Sequence, residues 1–134
     1  MLLNDFFTIE TVQRSEAPVT VETHAVLVLN AAHPIFAGHF PGEPVVPGAC
    51  QLQMLQETLS YVTGSEYILL RADQLKFLTP IDPRQHPRIG MTLRYPAPHP
   101  PMDQTTQRLP VTAVLSAVSG ELIFLKFTGT FRAE

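Results

Sequence analysis

From Val19 to Leu29 apolar and polar residues alternate with a period of two. Val19, Val21, Thr23, Ala25, Leu27 and Leu29 fall on one face, and Thr20, Glu22, His24, Val26 and Val28 on the other. That alternation predicts a strand. From Ala49 to Thr63 the period lengthens to that of a helix, with Gly64 placed to stop it. Leu52, Leu55, Leu59 and Val62 make the main apolar stripe, and Ala49, Cys50, Met54 and Tyr61 spread apolar character around the rest. Only Gln53, Gln56, Glu57 and Ser60 form a coherent polar strip. A helix apolar on most sides belongs in the middle of a fold.

Strand-like runs return at Tyr67 to Phe77, closed by Leu78-Thr-Pro80, and at Met91 to Tyr95. Val111 to Val118 and Glu121 to Phe131 read as a hairpin with Ser119-Gly120 at its turn. Residues 2 to 9 predict a short turn or helix packing Leu3, Phe6 and Phe7. Pro96 to Pro110 holds five prolines, which predicts an extended loop or a poorly ordered excursion. No internal repeat is visible. The order is strand, rigid loop, one long buried helix, then antiparallel strands. One helix covers only one face of a sheet, so the expected class is α+β, in a single domain over residues 1–134. The other face is left for solvent or for association.

Between the first strand and the helix lies Gly38-His-Phe-Pro-Gly-Glu-Pro-Val-Val-Pro-Gly48. Prolines fix φ and glycines permit close backbone approach, so this stretch holds one shape. The residue it presents is His39, whose side chain type titrates nearest neutrality.

Composition narrows the classes. A formal net charge of −3 with no long basic run argues against nucleic acid. No apolar run approaches the length of a membrane-spanning helix. The amino terminus lacks a basic segment followed by an apolar one, so the expectation is a cytoplasmic protein. Cys50 is the sole cysteine, which excludes an internal disulfide and fits a reducing compartment. No two histidines have metal-ligand spacing on a predicted helix, so no metal is expected.

The Gly38 to Gly48 stretch resembles the signature of the 3-hydroxyacyl-(acyl carrier protein) dehydratases, proteins of the hotdog fold, in which a curled antiparallel sheet wraps one long central helix. The resemblance extends to Leu75-Lys-Phe-Leu-Thr-Pro-Ile81 and covers roughly residues 20 to 131. It implies elimination of water from a 3-hydroxyacyl thioester in fatty-acid or related synthesis. No resident cofactor is implied, because the substrate arrives on phosphopantetheine. By that resemblance His39 takes the proton beside the thioester carbonyl. Backbone N–H groups near Gly48 and Ala49 bind the carbonyl oxygen at a helix N-terminus, where negative charge is favoured. Phe40 and Cys50 flank the substrate. The partners implied are an acyl carrier protein and a second copy of the chain, in a homodimer or higher homo-oligomer with the site built across the interface.

The chain departs from the family at the second catalytic position. The carboxylate expected fourteen residues after the histidine is here Gln53, whose amide forms hydrogen bonds but does not exchange protons near neutral pH. Four residues on, where the family carries glutamine, stands Glu57. Three readings of Glu57 remain open: a displaced acid, the solvated edge of the helix, or the partner of a basic residue. The family's proline-glycine-aspartate turn is replaced by Ile81-Asp-Pro-Arg-Gln-His86, and Asn4-Asp-Phe-Phe stands where a histidine–arginine–proline stretch is usual.

Other candidates have plainer readings. His33 precedes Pro34 and has the reach to bond within its loop, while His24, His86 and His99 read as solvated. Cys50 reads as a small buried hydrophobe rather than a nucleophile. Arg71, Lys76, Arg84, Arg88 and Arg94 form either a basic rim for an acidic carrier or an ordinary set of exposed charges. Beside the dehydratase reading stand a binding subunit that keeps the acyl tunnel without turnover, and an acyl thioesterase, since a fold does not fix a function.

Overall fold

The computed structural model describes residues 1–38, 42–97 and 108–134. Among these residues six strands form one antiparallel sheet: β1 (Phe7–Glu16), β2 (Thr20–Leu29), β3 (Tyr67–Phe77), β4 (Arg88–Pro96), β5 (Arg108–Ala117) and β6 (Ile123–Ala133). Their spatial order is β1-β2-β4-β5-β6-β3, which leaves β1 and β3 as the edges. A short helix α1 (Ile35–Gly38) precedes the proline-glycine loop, and the long helix α2 (Gly48–Thr63) follows it. The sheet curls around α2, the hotdog architecture the sequence leads one to expect.

The strand periodicity holds in register. Val21, Thr23, Ala25, Leu27 and Leu29 of β2 are buried, while Val19 lies outside the strand and is exposed. They meet Ile89, Met91 and Leu93 of β4, Val111, Ala113 and Leu115 of β5, and Leu125, Phe127 and Phe131 of β6 in one core with Met54, Leu55 and Leu59 of α2. Gly129 is required where β6 passes β3, because a Cβ there would collide with the Arg71 carbonyl and the Phe127 ring. Gly64 ends α2 in the left-handed conformation at φ 76°, its N–H bonded to the Ser60 carbonyl.

Two elements depart from expectation. Residues 2–6 form a turn with Asn4 at φ 70°, and the chain then enters β1, a strand the sequence pattern does not announce. β1 is an edge whose outer residues are mostly exposed, and a bulge between Ile9 and Thr11 breaks its alternation. The apolar face of α2 is also rotated. Cys50, Met54, Leu55, Thr58 and Leu59 are buried, whereas Leu52 and Val62 are half-buried at its margins. Most of the Pro96–Pro110 stretch lies outside the described residues; its ends belong to β4 and β5. Among the described residues no helix is long and apolar enough to cross a membrane.

Candidate active site

The proline-glycine loop delivers the chain into the first turn of α2. The Val46 N–H donates to the Ile81 carbonyl at 2.9 Å, which pins the end of the loop to the segment after β3. Pro47 then takes the N-cap position and supplies no side-chain hydrogen bond. The first N–H groups of a helix have no partner within it. Those of Gly48 and Ala49 meet no side-chain cap, and Ala49 is exposed. The Phe77 ring lies over Gly48, its tip 2.9 Å from where a Cβ would stand. A glycine at position 48 lets that ring cover the first turn.

His39 and Phe40 lie outside the described residues, as does His99. The approach to them is described. His33 bridges the start of the loop: its Nε2 lies 3.0 Å from Asp5 Oδ2, and its Nδ1 accepts the Ile35 N–H at 3.1 Å. An Nδ1 that accepts leaves Nε2 to carry the proton toward Asp5. His33 thus bonds within its loop, as its place before Pro34 suggests. Cys50 is buried, and loss of hydration pushes its thiol above the ordinary cysteine range. That favours the inert thiol over a nucleophile.

The polar strip of α2 is the part of the site that sequence reasoning describes least well. Each of its members has a specific partner. Gln56 Oε1 accepts the Leu69 N–H at 2.7 Å and Ser60 Oγ accepts the Tyr67 N–H at 3.0 Å, tying the helix to β3. Glu57 is buried, which overturns the reading of it as a solvated edge. The Leu2 N–H donates to both its oxygens at 2.9 Å, and the Leu3 N–H to Oε1 at 2.8 Å. Its partners among the described residues are therefore backbone amides and an amide side chain, not a basic residue. The side-chain donor is Gln53, whose Nε2 lies 2.9 Å from Glu57 Oε2. The structure brings Gln53 and Glu57 together, one turn apart, on the wall of a hollow of about 370 Å³ that Leu3 and Tyr67 also line.

This network sets the orientation of Gln53. A carboxylate accepts only, so the amide must turn its NH2 toward Glu57. Among the described residues the Gln53 carbonyl oxygen then has no partner, and neither does the amide's second N–H. The amino-terminal segment is the signal missed in the sequence: nothing in its pattern says that Leu2 and Leu3 reach a helix more than fifty residues away.

The proposed basic rim is largely neutralised. Arg71 pairs with Asp73, Arg84 with Asp82, Arg88 with Glu10 and Arg94 with Glu22, at 2.7, 3.2, 2.7 and 2.7 Å. Arg94 holds Glu22 below the usual carboxylate range, and Arg84 does the same for Asp82. Lys76 makes no such pair among the described residues. His24 is exposed beside Glu22, and the half-buried His86 packs edge-on against Phe124 with ring centres 5.2 Å apart.

Comparison with known proteins agrees with this architecture. The sequence pattern of the ApeI-like family, described as ApeI dehydratase, matches residues 13–106. A curated 3-hydroxyacyl-[acyl-carrier-protein] dehydratase FabZ of Novosphingobium aromaticivorans is 28% identical over 69 residues, 45% of this chain and 44% of that protein. The chain thus spans less than half the length of that relative. Among solved structures, the dehydratase heterocomplex ApeI:P from Xenorhabdus doucetiae superposes with a TM-score of 0.55 at 18% identity, covering 92% of this chain and 99% of that one. A putative thioesterase, yhdA from Lactococcus lactis, gives 0.60 at 8% identity over 93% and 91%.

Proposed function

This chain belongs to the ApeI-like dehydratase family, and on that premise we propose that it removes water from a 3-hydroxyacyl thioester to give the 2-enoyl thioester. The substrate arrives on the phosphopantetheine arm of an acyl carrier protein, and no resident cofactor takes part. His39 removes the proton between the thioester carbonyl and the hydroxyl-bearing carbon. The N–H groups of Gly48 and Ala49 receive the negative charge that develops on the carbonyl oxygen. Phe40 and Cys50 flank the acyl chain. As the carbon–oxygen bond breaks, the departing hydroxide takes the proton from the His39 imidazolium and leaves as water.

Gln53 replaces an acid in this scheme without acting as one. Its free N–H and carbonyl oxygen hold the hydroxyl in line, and Glu57 fixes the amide that does so. Glu57 is then a positioning residue, since both its oxygens are engaged by N–H donors. The observation that carries this reading is the Gln53–Glu57 pair at 2.9 Å, with the amide's other edge turned to an open hollow.

The exposed edge strand β3 supports assembly with a second copy. Leu70, Leu75 and Phe77 on it, and Leu78 just after it, are 37–51% exposed. An unpaired apolar edge of this kind invites a partner strand.

The test is the appearance of enoyl thioester from a 3-hydroxyacyl carrier-protein thioester, with wild type and His39→Ala side by side. Wild type should turn over, and the variant should lose about 10²–10⁴ of the rate. Equal rates would remove His39 from the chemistry. The missing acid at position 53 favours a second reading, an acyl-carrier-binding subunit, which predicts binding without conversion. Release of free carrier thiol would instead support the thioesterase reading, in line with the yhdA likeness.

A further inference from the structure

The chain has only two lysines, Lys76 and Lys126. The register of β3 against β6 sets them directly opposite each other. Directly paired residues share a face with Cβ atoms about 5 Å apart, where like charges repel. Both are exposed, and neither has an ion-pair partner among the described residues. The pattern repeats further along β6, where Arg132 lies directly opposite Arg108 of β5. Lys126 and Arg132 are six residues apart on the same face of β6, roughly 20 Å. Between them, Arg71 is neutralised by Asp73 at 2.7 Å. The other half of the same outer face is arranged differently: Arg88 meets Glu10 and Arg94 meets Glu22. Opposed like charges are therefore confined to one half of the sheet.

We infer that the outer face of β5, β6 and β3 is a docking strip for an acidic protein surface, with carboxylates spaced to match Lys76, Lys126, Arg132 and Arg108. A partner carrying carboxylates converts both repulsive pairs into attractive ones, and such charges steer encounter. A second copy of this chain does not fit, because it would bring the same cations together. Nucleic acid does not fit either, because β6 presents Thr128 and Thr130 between its cations rather than aromatic rings for bases. A shallow depression of about 400 Å³ beside the lysines is lined by Gln74, Thr112 and Thr128, which supply neutral hydrogen bonding at the contact. Successive strand residues face opposite sides, so β3 carries Lys76 on the outer face and, on the inner face, Phe77, whose ring lies over Gly48. The acidic partner is the protein that carries the thioester; in this the inference rests on the proposed function.

The experiment measures binding of an acidic holo acyl carrier protein to wild type and to Lys76→Glu/Lys126→Glu at low and high salt, together with turnover of a carrier-free pantetheine thioester. The double variant should bind at least about fivefold more weakly and lose most of its salt dependence. Carrier-free turnover should not change. Arg88→Gln, on the other half, should bind like wild type. Lys126→Glu alone replaces repulsion by attraction, so its Tm should equal or exceed that of wild type, which separates weakened docking from unfolding. Equal affinity and salt dependence in wild type and double variant would overturn the strip, as would a wild type that binds no carrier. Salt-dependent docking without turnover of any thioester would sink the dehydratase reading and leave the strip standing.

Discussion

The two faces of α2 obey different rules. One face, Met54, Leu55 and Leu59, is fully buried against the curled sheet and is held by contact with other apolar groups. Such packing is tolerant in direction and sensitive to volume. The other face, Gln53, Gln56, Glu57 and Ser60, binds particular backbone N–H groups of β3 and of the amino-terminal segment. Hydrogen bonding of this kind is directional, and a buried donor left unpaired is costly. The first face makes the fold. The second sets the orientation of one amide, and that amide borders the proposed site.

The largest stability effect is expected on the apolar face. Leu55→Ala should cost about 2–5 kcal/mol in denaturant unfolding, because the cavity it leaves is walled by β-sheet side chains. The turnover of the molecules that remain folded should stay near wild type. A folded variant with much reduced turnover would mean that the two faces are not separable.

Glu57→Ala comes next. It removes the acceptor for Leu2, Leu3 and Gln53 at once, and should cost about 1–3 kcal/mol. Here activity should fall beyond what the lost stability explains, since Gln53 is released to rotate. Gln56→Ala, on the same strip but facing β3, supplies the contrast: a smaller loss of stability, about 1 kcal/mol, with turnover retained.

The contrast between the faces also explains what the sequence discloses. The helix, its stop at Gly64, and the alternation of β2 follow from local periodicity, because burial on one face selects residues at fixed spacing. The choice of Gln53, Gly48 and His39 as site residues comes from the resemblance of the Gly38 to Gly48 stretch to the dehydratase signature and from where that family carries its second catalytic group. The partners of Glu57 are not written in any local pattern. They depend on where Leu2 and Leu3 end up after β1 and β2 have paired, and β1 itself is masked by its bulge and its solvent-facing edge. An acid at a polar position of a helix looks solvated until the segment that buries it is placed. Half of the neutralised arginine rim has the same origin: Glu10 and Glu22 reach Arg88 and Arg94 only once the strands have paired, whereas Asp73 and Asp82 lie two residues from Arg71 and Arg84.

The account turns on the claim that Gln53, aligned by Glu57, holds the departing hydroxyl. The direct measurement is the rate of enoyl thioester formation by Gln53→Ala beside wild type, with Tm recorded for both. The account predicts a rate lowered by about 10²-fold, with a Tm close to wild type because Glu57 keeps its two backbone donors. A rate equal to wild type in the folded variant would contradict it.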